Sequence, residues 1–85
     1  MTTIYLNGKF IPPEQAMVSV MDRGYLFGDG VYEVIPVYNG KAFRLEAHLK
    51  RLHNSLTAIR IREPMSAADW QAMIEGLLQR NPGAD

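Results

Sequence analysis

Two Asn-Gly dipeptides, Asn7-Gly8 and Asn39-Gly40, constrain this chain more than any other feature. Each sits between β-prone runs: "TIYL" and "KFI" around the first, "VYEVIPVY" and "KAF" around the second. Asn-Gly tolerates positive φ at both central positions of a two-residue turn, the turn whose twist matches the strands it joins. Two hairpins are therefore predicted, each with a lysine after the glycine, Lys9 and Lys41, where the ammonium stays in water. Two hairpins joined by a loop predict an antiparallel sheet.

The register of the longer run, residues 31–38, sorts its side chains. Along a strand they alternate faces, so Tyr32, Val34, Pro36 and Tyr38 share one and Val31, Glu33, Ile35 and Val37 the other. The second, mostly aliphatic set is expected to face the core, and Glu33 there needs a partner. The tyrosine-bearing face is the one expected to meet a ligand or another domain. Pro36 has no N–H to give a ladder, so an edge or a bulge is expected at that point.

Beyond residue 44 the apolar period lengthens. Leu45, Leu49, Leu52, Leu56 and Ile59 recur at spacings of four and three, which predicts a helix over residues 45–59. His48, Arg51 and Ser55 line one border of this stripe, Lys50 points away from it, and Glu46 in the first turn suits the helix dipole. Ser66 with Asp69 three residues on marks the start of a second helix, whose buried face is Trp70, Met73, Ile74, Leu77 and Leu78. "NPGAD" ends it. The order β-β, loop, β-β, α, α predicts an α+β domain, an antiparallel sheet of hairpins with two helices packed on one face.

Length and charge exclude several function classes. Eighty-five residues make one small domain with little core, and without cysteine there is neither a disulfide nor a thiolate metal site. Such a chain is expected to need a partner surface. Nine basic and nine acidic residues leave no basic field for nucleic acid. No apolar run approaches the ~20 residues of a membrane span, and "MTTIYLNGKF" is no signal peptide, so a cytoplasmic location is expected.

The stretch "RGYLFGDGVYEV", residues 23–34, is rich in glycine but fits neither G-x-G-x-x-G nor the P-loop. It precedes a strand instead of opening a helix, and Asp29 between two glycines would repel a phosphate. It reads as a structural corner in which Asp22 and Arg23 cap and tie the chain. His48 and His53, five apart on opposite borders of the stripe, make no metal pair. From the residues alone, Arg51 is a solvated side chain, an ion-pair partner or an anion ligand, and Tyr32 a packing aromatic or a ligand contact. There is no Ser-His-Asp pattern.

Residues 22–52, "DRGYLFGDGVYEVIPVYNGKAFRLEAHLKRL", resemble the N-terminal segment of the class IV, pyridoxal-phosphate-dependent aminotransferases, above all their D-amino acid (D-alanine) branch. Three features carry the resemblance: Arg-Gly-x-x-x-Gly-Asp-Gly, then Val-Tyr-Glu-Val, then Phe-Arg-Leu-x-x-His-Leu-x-Arg-Leu. Branched-chain aminotransferases and aminodeoxychorismate lyases are similar here and stay as alternatives. Tyr32 with Glu33-Val34 favours the D-amino acid branch, since the branched-chain enzymes typically carry phenylalanine and Glu-Gly.

The resemblance implies two α/β domains with pyridoxal 5′-phosphate between them, working as a homodimer. Residues 1–85 are then expected to be the small N-terminal domain, stopping short of its last strands. It also implies that Arg51 holds the cofactor phosphate, that Tyr32 lines the substrate pocket near the substrate carboxylate, and that Val34 is its neighbour there. The implied reaction passes an amino group from a D-amino acid to a 2-oxo acid such as 2-oxoglutarate. The Schiff-base lysine is expected beyond residue 85, because Lys9 and Lys41 flank turns and Lys50 points to water. No catalytic residue is thus expected within the chain, which should be inactive alone. Two other classes stay open: a non-catalytic, self-associating structural module, and an anion-binding module using Arg44 and Arg51.

Overall fold

The structure, a computed structural model, describes residues 2–83. Both Asn-Gly turns form. Asn7 and Gly8 take φ of 50° and 88°, and Asn39 and Gly40 take 52° and 75°, as a turn with two positive-φ positions demands. The first joins β1 (Ile4–Leu6) to β2 (Lys9–Ile11), with Leu6 opposite Lys9 and Tyr5 opposite Phe10. The Tyr5 and Phe10 rings meet edge-on at 5.2 Å, a cross-strand pair that helps hold the register. The second joins β3 (Val37–Tyr38) to β4 (Lys41–Ala42).

Helix α2 (Leu45–Ala58) and helix α3 (Ala67–Arg80) fall where the apolar periods place them. Ser66 caps α3, its Oγ accepting the Asp69 N–H at 3.1 Å. Asn81 ends the helix and also closes the fold. Its side-chain amide donates to the Thr3 carbonyl at 2.9 Å and accepts the Thr3 N–H at 2.8 Å, so it pairs with β1's approach as a strand would. Gly76 admits the Phe10 ring, since a Cβ there would stand 3.1 Å from Phe10 Cζ. Arg80 then stacks over the same ring at 3.9 Å. The first hairpin is thereby tied to the C-terminal half of α3.

The α+β class is as the sequence implies, but the two hairpins stay separate two-stranded ladders and do not merge into one sheet. Only Val37 and Tyr38 of residues 31–38 pair. The ladder stops at Pro36, whose carbonyl accepts the Phe43 N–H at 2.8 Å but which has no N–H to return. Upstream of it, residues 31–35 have no strand partner among the described residues, yet burial still alternates with period two. The half-buried side chains Val31, Glu33 and Ile35 border a cleft with His48, Leu49 and Leu52 of α2 and Trp70 and Ile74 of α3. This segment therefore behaves as an extended strand laid over the helices.

A second departure is α1 (Arg23–Phe27), inside the glycine-rich corner. Asp22 Oδ1 accepts the Gly24 N–H at 2.8 Å, and Gly28, in the left-handed region at φ 69°, ends the turn by donating to the Gly24 carbonyl. Arg23 Nε donates to Asp29 Oδ2 at 2.8 Å. The corner is tied by Asp22 and Arg23 as expected, but five residues containing a glycine give no apolar period to announce a helix.

The core is thin. Leu56, 7% exposed, is the one buried residue among those described. Glu63 clasps the α2–α3 connection, accepting from Trp70 Nε1 at 2.9 Å and from His53 Nδ1. Met17, Val18, Met21, Tyr25 and Phe27 are exposed over a short stretch of chain. Among the described residues, no helix is long and apolar enough to cross a membrane.

Candidate functional site

The strand alternation turns Glu33 inward, and α2 meets it with two side chains one turn apart. Arg51 donates from Nε to Glu33 Oε2 and from Nη2 to Oε1, both at 2.8 Å. His48 Nδ1 lies 2.8 Å from the same Oε1. An ionised carboxylate only accepts, so this histidine nitrogen carries the proton and donates. Glu33 thus accepts three hydrogen bonds while its side chain is 10% exposed. It is the partner requirement raised by the sequence, met by two residues on one border of the leucine stripe.

Electrostatics follow from this geometry. The hydrogen bonds from Arg51, and after them that from His48, lower the Glu33 pKa from its ordinary 4.5 to about 2, outweighing the opposing effect of burial. The same carboxylate raises the pKa of Arg51. Because Glu33 is more acidic folded than unfolded, the folded state binds fewer protons at low pH. Its contribution to stability is whole above about pH 4.5 and is lost as pH falls through about 2. Urea unfolding followed across that window should show a loss in the native protein that Glu33→Gln, with nothing to titrate there, shows less of. Parallel curves would mean that the three hydrogen bonds do not form in solution.

Beside this cluster lies an open pocket of about 270 Å³ lined by Arg44, Ala47, His48 and Arg51. Arg44 precedes α2 with φ 54°, a left-handed conformation that a non-glycine residue adopts only under constraint. Its guanidinium has no hydrogen bond or ion pair among the described residues. Arg51 Nη1 likewise makes no hydrogen bond among the described residues, and the Arg51 side chain is 65% exposed. Two cationic forks with free donors at one concavity suit a phosphate or carboxylate chemically.

Tyr32 and Val34 stand on the opposite face of the extended segment, 85% and 72% exposed. The outward placement matches the sequence expectation, but neither residue lines the Arg44–Arg51 pocket. The structure therefore gathers Arg51 with Glu33 and His48, sets Tyr32 at the rim of the neighbouring cleft that Glu33 and His48 also line, and leaves Val34 outside both. Lys9, Lys41 and Lys50 are all exposed. Sequence reasoning passed over His48 as a partner, although the His-x-x-Arg spacing sets both residues on one helix border facing an inward glutamate.

Comparison with known proteins bears on all of this. The family model described as amino-transferase class IV matches residues 30–85, more than half of the chain. A D-alanine aminotransferase of Staphylococcus aureus (strain N315) is 52% identical over 59 residues, 69% of this chain and 21% of that protein. One of Listeria monocytogenes serotype 4b (strain F2365) is 41% identical over 78 residues, 92% of this chain and 27% of that protein. One of Bacillus licheniformis is 39% identical over 82 residues, 96% of this chain and 29% of that protein. The chain spans less than a third of the length of these relatives. With residues 30–85 matching the family model and relatives 39–41% identical along more than nine-tenths of its length, the chain belongs to the class IV aminotransferases.

Proposed function

We propose that residues 1–85 serve as the small N-terminal domain of a pyridoxal-phosphate-dependent D-amino acid aminotransferase. The amino group of D-alanine or a similar D-amino acid would pass to a 2-oxo acid such as 2-oxoglutarate, leaving pyruvate and glutamate. The relatives that bear the name D-alanine aminotransferase support the substrate class. The observation that carries the chain's own part is the pocket at which Arg44 and Arg51 both hold donors without a partner among the described residues.

Those donors fit the phosphate of pyridoxal 5′-phosphate. Bound there, the cofactor supplies the electron sink that lets an amino group leave one substrate and join another. Arg51 binds the phosphate with the edge that Glu33 leaves free, and Arg44 adds a second positive charge. Tyr32 offers a phenol that donates to a substrate carboxylate, and Val34 beside it is an apolar wall. The exposure of Lys9, Lys41 and Lys50 supports a catalytic lysine supplied from outside these residues. A homodimer in the cytoplasm, with no nucleic-acid or membrane partner, belongs to the same proposal. The large apolar side chains exposed between Met17 and Phe27 support association, since a second surface that covered them would remove apolar area from water.

The test pairs activity with covalent mapping. The full-length enzyme should form pyruvate from D-alanine and 2-oxoglutarate, and should leave L-leucine unused. Borohydride reduction with pyridoxal phosphate should place no stoichiometric adduct on Lys9, Lys41 or Lys50. Turnover of L-leucine in place of D-alanine would favour the branched-chain branch. An adduct on any of the three lysines would give this chain a catalytic lysine of its own and overturn the assignment.

A further inference from the structure

We propose that Glu33 is the positioning residue of the anion pocket. It grips Arg51 along the Nε–Nη2 edge and so turns the Nη1 side of the guanidinium toward the ligand. The proposal rests on the reading of Arg51 as a phosphate ligand and goes beyond it. An arginine on a helix surface has four rotatable side-chain bonds, and holding it in one geometry for a ligand loses rotamer freedom. Here that loss is met before any ligand arrives, because two parallel hydrogen bonds of 2.8 Å fix the fork's orientation in the plane of the carboxylate. His48 holds the other member of the pair. Its Nδ1–H on Glu33 Oε1, at 2.8 Å and from a side chain 16% exposed, keeps the carboxylate from swinging out with the arginine. The strand alternation does the rest, since a glutamate one residue earlier or later would point away from α2.

Charge and geometry make opposite predictions for Glu33, which is what makes the role testable. A carboxylate beside an anion pocket repels the anion, so on charge alone Glu33→Gln should tighten phosphate binding. As a positioning residue it should weaken binding. The glutamine amide presents one acceptor and one donor to a set of three donors, so the grip on Nε and Nη2 cannot be kept.

Pyridoxal 5′-phosphate and inorganic phosphate are titrated against the full-length native protein, Glu33→Gln, Glu33→Asp and Arg51→Ala, with circular dichroism to establish folding. The Arg51 Nε–H resonance is followed by ¹⁵N NMR. The expected result is binding weaker by about 3- to 10-fold in Glu33→Gln. The Nε–H signal should shift upfield and exchange faster as its carboxylate partner is lost. Glu33→Asp, which keeps the charge on a shorter arm, should recover part of both. Should Glu33→Gln fail to fold, Glu33→Asp and the native protein's Nε–H signal decide alone: a hydrogen-bonded Nε–H with weakened binding in Glu33→Asp supports the role, and unchanged binding overturns it. Tighter or unchanged binding in Glu33→Gln, with weaker binding in Arg51→Ala, overturns the positioning role and leaves Arg51 as the phosphate ligand. Unchanged binding in Arg51→Ala overturns both.

Discussion

Arg51→Ala is expected to weaken pyridoxal phosphate binding by roughly 10- to 100-fold, the largest effect of any single substitution at the pocket. Two losses combine. The phosphate loses a charged donor, worth about 1.5–3 kcal/mol in such hydrogen bonds. Glu33, 10% exposed, meanwhile loses two of its three donors and stands as a poorly compensated carboxylate next to the anion. Arg51→Lys should fall between, because an ammonium keeps the charge but cannot bridge Glu33 and a phosphate with one planar fork. Calorimetric titration of the cofactor into the full-length protein reads all three affinities. Equal affinities in Arg51→Ala and the native protein would remove the phosphate role, leaving Arg51 as Glu33's structural counter-charge.

How much of this was legible beforehand differs from element to element, for physical reasons. The hairpins were readable because Asn-Gly has a backbone preference strong enough to act locally, as φ at Asn7, Gly8, Asn39 and Gly40 bears out. The helices were readable because fourteen-residue segments carry several repeats of the apolar period, and Ser66 announced a cap that the structure contains. Glu33 was legible as a residue in need of a partner, since alternation alone turns it inward. Which residues would answer it depends on how residues 31–35 cross α2, a tertiary fact that periodicity does not encode.

The same limit explains the departures. Two hairpins in sequence look like one sheet, but merging them needs a strand from one to lie beside a strand of the other. Pro36 ends the second ladder, and nothing among the described residues pairs with residues 31–35. α1 was hidden because its stability comes from the Asp22 cap, the Gly28 terminus and the Arg23–Asp29 pair, none of which is an apolar repeat. Tyr32 and Val34 were placed on the outward face, where they are, but the resemblance that links them to Arg51 spans more protein than this face contains.

Leu56→Ala should be the most destabilising alanine substitution among the described apolar residues, at about 2–5 kcal/mol, the range for emptying a packed leucine site. A domain of this size has only about 4–13 kcal/mol of stability to lose. The melting temperature should therefore drop by roughly 10–30 °C, read by calorimetry or circular dichroism. Leu56 is singled out by its 7% exposure, whereas Ile59, the next residue of the same stripe, is 45% exposed. Ile59→Ala should accordingly cost less than about 1 kcal/mol if the stripe ends in water. That contrast also tests whether the thin core is completed from outside. In the full-length protein at high concentration, a cost for Ile59→Ala approaching that of Leu56→Ala would show that a second surface covers the end of α2. Persistence of the contrast would locate any association elsewhere, with the exposed residues between Met17 and Phe27 as the surface that then has to supply it.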